Sequence, residues 1–151
     1  MFFNFLKSKP SLKELIPNGF VDIHSHILPG IDDGAKDVNE SVELISEMKK
    51  LGFSKIIGTP HSYPGLYDNT NESIENSFKQ INKEEYVDGI KISYASEYLI
   101  DNSLIKKAQK KSLLCLKDNL VLLETSFMGA TIDIFDIIFE LRLNNYKPVI
   151  A

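Results

Sequence analysis

Apolar positions along the chain switch repeatedly between strand-like and helix-like spacing, and the switches mark out alternating elements. A short apolar strand is predicted at Phe20–Ser25, followed by a loop with Pro29, Gly30 and the run Asp32-Asp33-Gly34. Asp37 with Glu40 makes a capping-box-like helix start. Val42, Leu44, Ile45, Met48 and Leu51 then form the expected buried stripe, and Gly52 is a natural stop. The next strand is predicted at Phe53–Thr59, closed by Pro60. A turn-rich segment from Ser62 to Asn71 leads to a helix over Glu72–Glu85 that buries Ile74, Phe78 and Ile81. A strand at Ile90–Tyr98, a short helix at Ser103–Lys111, a β-rich strand at Leu120–Thr125, a helix at Ile132–Asn144 and the beginning of a buried strand at Pro148–Ala151 complete the series.

Strands that alternate with helices of this length call for right-handed βαβ crossovers, hence an α/β fold with a parallel sheet and its functional edge at the carboxyl ends of the strands. Residues 1–19 read as an amino-terminal extension and residues 20–151 as one domain, with no internal repeat and no dividing linker. The last strand begins with no helix after it, so the expectation is a truncated chain.

Composition narrows the function. Of 151 residues, 43% are hydrophobic and 25% charged, within the range of a single globular domain. A net charge of −4 offers no broad cationic face, which argues against nucleic acid as the main partner. No apolar run reaches the roughly 18 residues of a membrane span, and the Met1–Leu6 stretch, soon followed by Lys7, Lys9 and Pro10, is not a signal peptide. A lone Cys115 fits a reducing, cytoplasmic setting. Phe2, Phe3 and Phe5 are expected to pack on the body of the domain, with a partner's surface as the alternative. Lys106, Lys107, Lys110 and Lys111 read as a solvated helix face.

The placement of the polar residues carries the chemistry. Asp22, His24 and His26 occupy alternate positions and should share one face of their strand, His61 closes the second, Glu97 lies near the end of the third and Glu124 near the end of the fourth. One histidine on a strand is ordinarily a hydrogen-bonded structural residue. Imidazoles and acids on consecutive strand ends instead point to divalent cations, which would relieve the repulsion among the acids; manganese, zinc, iron and magnesium all suit such donors. Gly34 would let its loop turn tightly and bring an acid over the same mouth.

Phe20-Val21-Asp22-Ile23-His24-Ser25-His26, then Asp32-Asp33-Gly34 and Thr59-Pro60-His61, resembles the opening of the PHP superfamily of metal-dependent phosphoesterases. Ser93-Tyr94-Ala95-Ser96-Glu97-Tyr98 and Val121-Leu122-Leu123-Glu124 are similar to the third- and fourth-strand Glu segments of its bacterial tyrosine phosphatases of capsule and exopolysaccharide pathways. The resemblance implies a partial PHP phosphoesterase domain: the first five strands of a distorted (β/α)7 barrel, incomplete here. It also implies three divalent ions, manganese foremost, held by His24, His26, Asp33, His61, Glu97 and Glu124. Asp22 and Asp32 match less decisive positions, either groups that orient the ligands or ordinary strand and loop residues. A His after the fifth strand and a late Asp-x-His belong to the same pattern and are not in this sequence, so impaired catalysis by this chain is the expectation.

The implied chemistry is phosphomonoester hydrolysis by a metal-bound hydroxide, with no side-chain nucleophile. A cysteine-based route would need an arginine six positions beyond Cys115. Val121 stands there, and Arg142 is the only arginine. The implied substrate is a phosphotyrosine protein, such as a polysaccharide-pathway tyrosine kinase, with Tyr63 and Tyr67 as candidates to stack on its ring. The alternatives are a PHP phosphatase of a small molecule such as histidinol phosphate, and a non-catalytic remnant or partner-complemented fragment.

Overall fold

The computed structural model describes residues 9–81, 89–126 and 134–151. The expected packing of Phe2, Phe3 and Phe5, the helix end at Glu85 and the helix start at Ile132 lie outside the described residues. A short helix absent from the sequence reading, α1 (Leu12–Leu15), opens the described chain, its start held by the Ser11 amide donating to the Glu14 carboxylate at 2.6 Å.

The main body alternates β1 (Phe20–Ser25), α2 (Val38–Leu51), β2 (Phe53–Gly58), β3 (His61–Ser62), α3 (Asn71–Ile81), β4 (Lys91–Tyr94), β5 (Glu97–Leu99), α4 (Ser103–Gln109), β6 (Leu120–Glu124), α5 (Ile134–Leu143) and β7 (Lys147–Ile150). Among the described residues every ladder between these strands is parallel, and they form two sheets with orders β1-β2-β4 and β3-β5-β6-β7. The α/β expectation with parallel βα units holds.

Two expected strands are broken. Phe53–Thr59 ends at Gly58 and hands over to β3, while Ile90–Tyr98 divides into β4 and β5 around Ala95 and Ser96. Pro60 has no N–H to continue a ladder, and hydroxyls take over at the step. Thr59 Oγ1 accepts from the Ser25 amide at 3.0 Å, and the Ser62 and Ser96 hydroxyls meet at 2.6 Å in a buried contact. Backbone bonds bridge the breaks, from Ala95 N to Gly58 O at 2.9 Å and from Glu97 N to Pro60 O at 3.0 Å. The second pieces therefore begin in register, His61 beside Glu97. His61 accordingly opens a short strand and does not close the longer one.

The Asp37 carboxylate caps α2 by accepting from the amides of Asn39 and Glu40, and Gly52 ends it at φ +106°, a conformation in which a side chain would be strained. The predicted stripe is partly displaced. Ile45 is buried and Met48 packs on the core, but Leu44 is exposed, and Ser41 and Val38 face inward. One apolar cluster gathers Ile27, Leu28, Ile45, Ile56, Ile74 and Ile81 behind the first sheet. A second collects Tyr98, Leu104, Val121, Leu123, Ile137 and Leu141 behind the other sheet. These clusters fix the strands whose carboxyl ends carry the polar residues.

Candidate metal centre

Five segments deliver donors to one place. His24 is the last residue but one of β1 and His26 lies just past it, Asp33 rides the following loop, His61 starts β3, Glu97 starts β5 and Glu124 ends β6. Their donor atoms make three overlapping triads, His24/His26/Glu97, His26/Asp33/His61 and His61/Glu97/Glu124, each with its atoms within 4.8 Å of one another. Glu97 Oε1 lies 3.0 Å from His24 Nε2, and Glu97 Oε2 lies 3.3 Å from His26 Nε2 and 3.2 Å from His61 Nδ1. His61 Nδ1 is also 3.2 Å from Glu124 Oε1, and its Nε2 is 3.5 Å from Asp33 Oδ1. All six residues proposed as ligands from sequence thus sit within reach of shared cations.

Glu97 is buried, 2% exposed, and burying a carboxylate is costly unless charge or hydrogen bonds answer it. Its Oε2 and the neighbouring His61 Nδ1 are both buried without a hydrogen-bond partner, although only 3.2 Å apart. The contact is short in distance but lacks the alignment of a hydrogen bond. Two lone-pair donors facing a common point is the arrangement that a cation between them requires, so the donor set fits a divalent ion.

Asp32 does a different job. Its Oδ2 lies 2.8 Å from His26 Nδ1 and accepts from the His61 amide at 3.0 Å, while Oδ1 accepts from the Gly34 amide at 3.0 Å. A carboxylate on Nδ1 turns the Nε2 edge of His26 toward Glu97. Contact with the Asp32 carboxylate, then with that of Glu97, pushes His26 up to about 10 against the opposing effect of burial. Burial pushes Asp32 and Glu97 upward, but for Asp32 the His26 contact and the Gly34 and His61 amides outweigh it, and for Glu97 the imidazoles do. Both are held below their ordinary values. Glu124 moves the other way, raised by burial and by the charge of Glu97.

Gly34 is required for a reason other than the tight turn expected of it. A Cβ there would lie 2.0 Å from the His26 carbonyl oxygen and 2.4 Å from its Cβ, so the Asp32-Asp33-Gly34 loop can close over His26 only without a side chain. Asp22 stands apart from the triads, its Oδ1 3.4 Å from the His24 amide. Tyr67 lies flat against His61, with ring centroids 5.4 Å apart and planes at 11°. Loss of water and the charges of Asp33 and Asp32 push its hydroxyl upward. Tyr63 pairs with Tyr67 through the backbone and lines a cavity of about 170 Å³ beside it. Sequence reasoning missed Asn69, whose side-chain amide donates to the carbonyls of His61 and Ile31, both at 2.8 Å. No local pattern in the sequence announces that tether. Cys115 is half-buried with its thiol pushed up by burial, the state of a packing residue and not of a nucleophile. Among the described residues no helix is long and apolar enough to cross a membrane.

Parallel βα units that gather imidazoles and carboxylates at their carboxyl ends define a class, α/β proteins with a centre suited to divalent metal. Within it, this chain belongs to the family described as "Capsular polysaccharide synthesis, CpsB/CapC", whose model matches residues 20–151. It is similar to tyrosine-protein phosphatase YwqE of Bacillus subtilis (strain 168), at 33% identity over 134 residues, covering 87% of this chain and 53% of the relative. It is also similar to tyrosine-protein phosphatase CpsB of Streptococcus pneumoniae, at 31% identity with coverage of 87% and 55%. A solved structure from work on YwqE and CpsB, described as metal-dependent tyrosine phosphatases, superposes with a TM-score of 0.71 at 31% identity, over 87% of this chain and 55% of that one. The chain spans about half the length of the curated relatives it matches.

Proposed function

We propose that this chain carries the first five strand units of a distorted (β/α)7 PHP barrel, over residues 20–151 behind an extension at 1–19, and serves metal-dependent hydrolysis of phosphotyrosine in proteins of capsule or exopolysaccharide synthesis. The observation that carries the reading is the convergence of six donors with two buried, unbonded lone-pair atoms, His61 Nδ1 and Glu97 Oε2, at its middle. The relatives named above, all called tyrosine-protein phosphatases, support the substrate class.

His24, His26, Asp33, His61, Glu97 and Glu124 are the proposed ligands, shared among three ions with manganese first in order. Divalent ions bound there would lower the pKa of water from about 15.7 toward 7 and neutralise phosphoryl oxygens, so no side-chain nucleophile is needed. The chain's own residues set that stage. Asp32 orients His26 and pins the His61 backbone, Gly34 lets Asp33 lie over the mouth, and Asp22 braces the His24 amide. A polysaccharide-pathway tyrosine kinase is the proposed partner, and the free thiol of Cys115 suits a cytoplasmic setting.

The test is hydrolysis of a phosphotyrosine peptide and of histidinol phosphate by the Mn2+-loaded protein. Preference for the peptide, abolished by chelator, supports the reading; preference for histidinol phosphate, or activity that survives metal removal, overturns it.

A second reading rests on a separate observation. β1 and β7 lie at the open ends of their sheets and expose Phe20, Val21 and Ile23 on one and Ile150 on the other. Apolar strand edges favour association, so activity would require a complementing polypeptide. A monomer in size-exclusion chromatography that holds metal tightly would count against it.

A further inference from the structure

His26 and His61 are proposed ligands held in different ways. A metal-bound imidazole ordinarily has its other ring nitrogen fixed by a hydrogen bond, and His26 follows the rule through Asp32 at 2.8 Å. His61 does not: its Nδ1 is buried and without a hydrogen bond, and Asp33 stands no closer than 3.5 Å to its Nε2. The face of Tyr67 lies against the ring, 5.4 Å away and nearly parallel at 11°, whereas the nearer His26 ring, at 4.5 Å, is tilted by 47°.

The loop carrying Tyr67 is built to keep it there. Tyr63 and Tyr67 exchange backbone hydrogen bonds at 2.9 and 2.8 Å, and Gly65 makes the turn between them at φ +83°. The Asp68 carboxylate accepts from the Gly65 amide at 2.8 Å. Asn69 then ties the loop to the carbonyls of His61 and Ile31, and the Ser73 hydroxyl donates to Asn69 Oδ1 at 3.1 Å. Loop and ligand are fastened to the same backbone atom, so Tyr67 cannot drift relative to His61 without breaking these bonds.

We propose that Tyr67 is the positioning residue of His61, its stacked ring fixing the imidazole plane in the role that Asp32 fills for His26. The inference rests on the metal-centre reading. It also changes the part Tyr67 can play toward substrate, since one face of its ring is already covered by His61. Ring on ring suits this ligand, because both of its nitrogens face carboxylates of the proposed centre, Nδ1 those of Glu97 and Glu124 and Nε2 that of Asp33. Stacking acts on the plane and leaves both edges open.

Co2+ titration followed by visible absorption tests this, with Tyr67→Phe retaining the ring and Tyr67→Leu retaining only bulk. Tyr67→Phe should bind Co2+ with wild-type affinity and spectrum. Tyr67→Leu should bind about tenfold more weakly, as loss of a ligand-orienting group does, with a changed visible band. Unchanged affinity and spectrum in Tyr67→Leu, or an equal loss in Tyr67→Phe, would overturn the proposal. Proton NMR of the metal-free wild type is a second arm that depends on neither variant folding. Contacts between the Tyr67 and His61 rings, with His61 ring protons displaced by the tyrosine ring current, are expected, and their absence would also overturn it. Failure of the wild type to take up Co2+ while the NMR contacts are present would instead sink the metal-centre reading on which the proposal stands.

Discussion

The bodies of the strands and their carboxyl ends obey opposite rules. In the bodies, Ile56, Val121 and Leu123 are fully buried among apolar neighbours, and their contribution is area removed from water. At the break where β5 begins, Glu97 is buried almost as deeply, yet it faces three imidazoles and leaves an oxygen without a hydrogen bond. The first arrangement is complete in the protein alone. The second leaves His61 Nδ1 and Glu97 Oε2 without hydrogen bonds, atoms that the proposed cation would answer, so the fold's stability and the site's chemistry are separable along the same strands.

Substitutions on either side of that boundary should therefore fail differently. The largest effect belongs to the body: Leu123→Ala should destabilise the metal-free protein by about 2–5 kcal/mol in urea denaturation. Glu97→Gln should cost the metal-free protein less than Leu123→Ala in the same experiment, because the isosteric amide keeps the packing and loses only the charge that the imidazoles favour. Its loss appears in isothermal titration with Mn2+, where affinity should fall by more than about a hundredfold, the upper range seen when merely a ligand's supporting group is removed. Equal loss of stability in both variants would erase the distinction between body and end. Asp32→Asn should be milder, about 10–100-fold in Mn2+ affinity, since it loosens His26 without deleting a ligand.

The smallest effect is a pH slope. His26, raised from 6.5 to about 10 in the metal-free protein, carries a proton at neutral pH that an ion must displace. Metal affinity should rise with pH, about tenfold per unit for one displaced proton, up to roughly pH 10. The sign for the metal-free fold is the reverse. A raised histidine contributes stability that is fully present below pH 6.5 and is lost as pH rises through about 10. Chemical denaturation with and without Mn2+ at several pH values should therefore give opposite trends, and parallel trends would show that His26 does not bind the ion.

Much of this was legible in the sequence because its signals are local. Asp37 as a cap, Gly52 as a stop and the boundaries of β1 follow from spacing and residue type. The histidines and acids expected at successive strand ends pointed to the cluster, since parallel βα units bring those ends together, although His61 and Glu97 open second strand pieces there. The breaks at Thr59-Pro60 and Ala95-Ser96 were not legible as breaks, for their continuation depends on hydroxyls and amides from neighbouring strands. Leu44 fits a helical stripe yet is exposed, because the face of α2 turned to the core is centred on Ser41 and Ile45. The Asn69 tether and the Tyr67 stack are tertiary contacts, visible only once the loop is folded against His61.

Anomalous diffraction from crystals of this protein grown with Mn2+ tests the central claim most directly. The account predicts peaks enclosed by the three triads, with the Glu97 carboxylate oxygens and His61 Nδ1 within bonding distance of metal. Peaks elsewhere on the surface, or Glu97 and His61 bonded to each other with no ion between them, would contradict it.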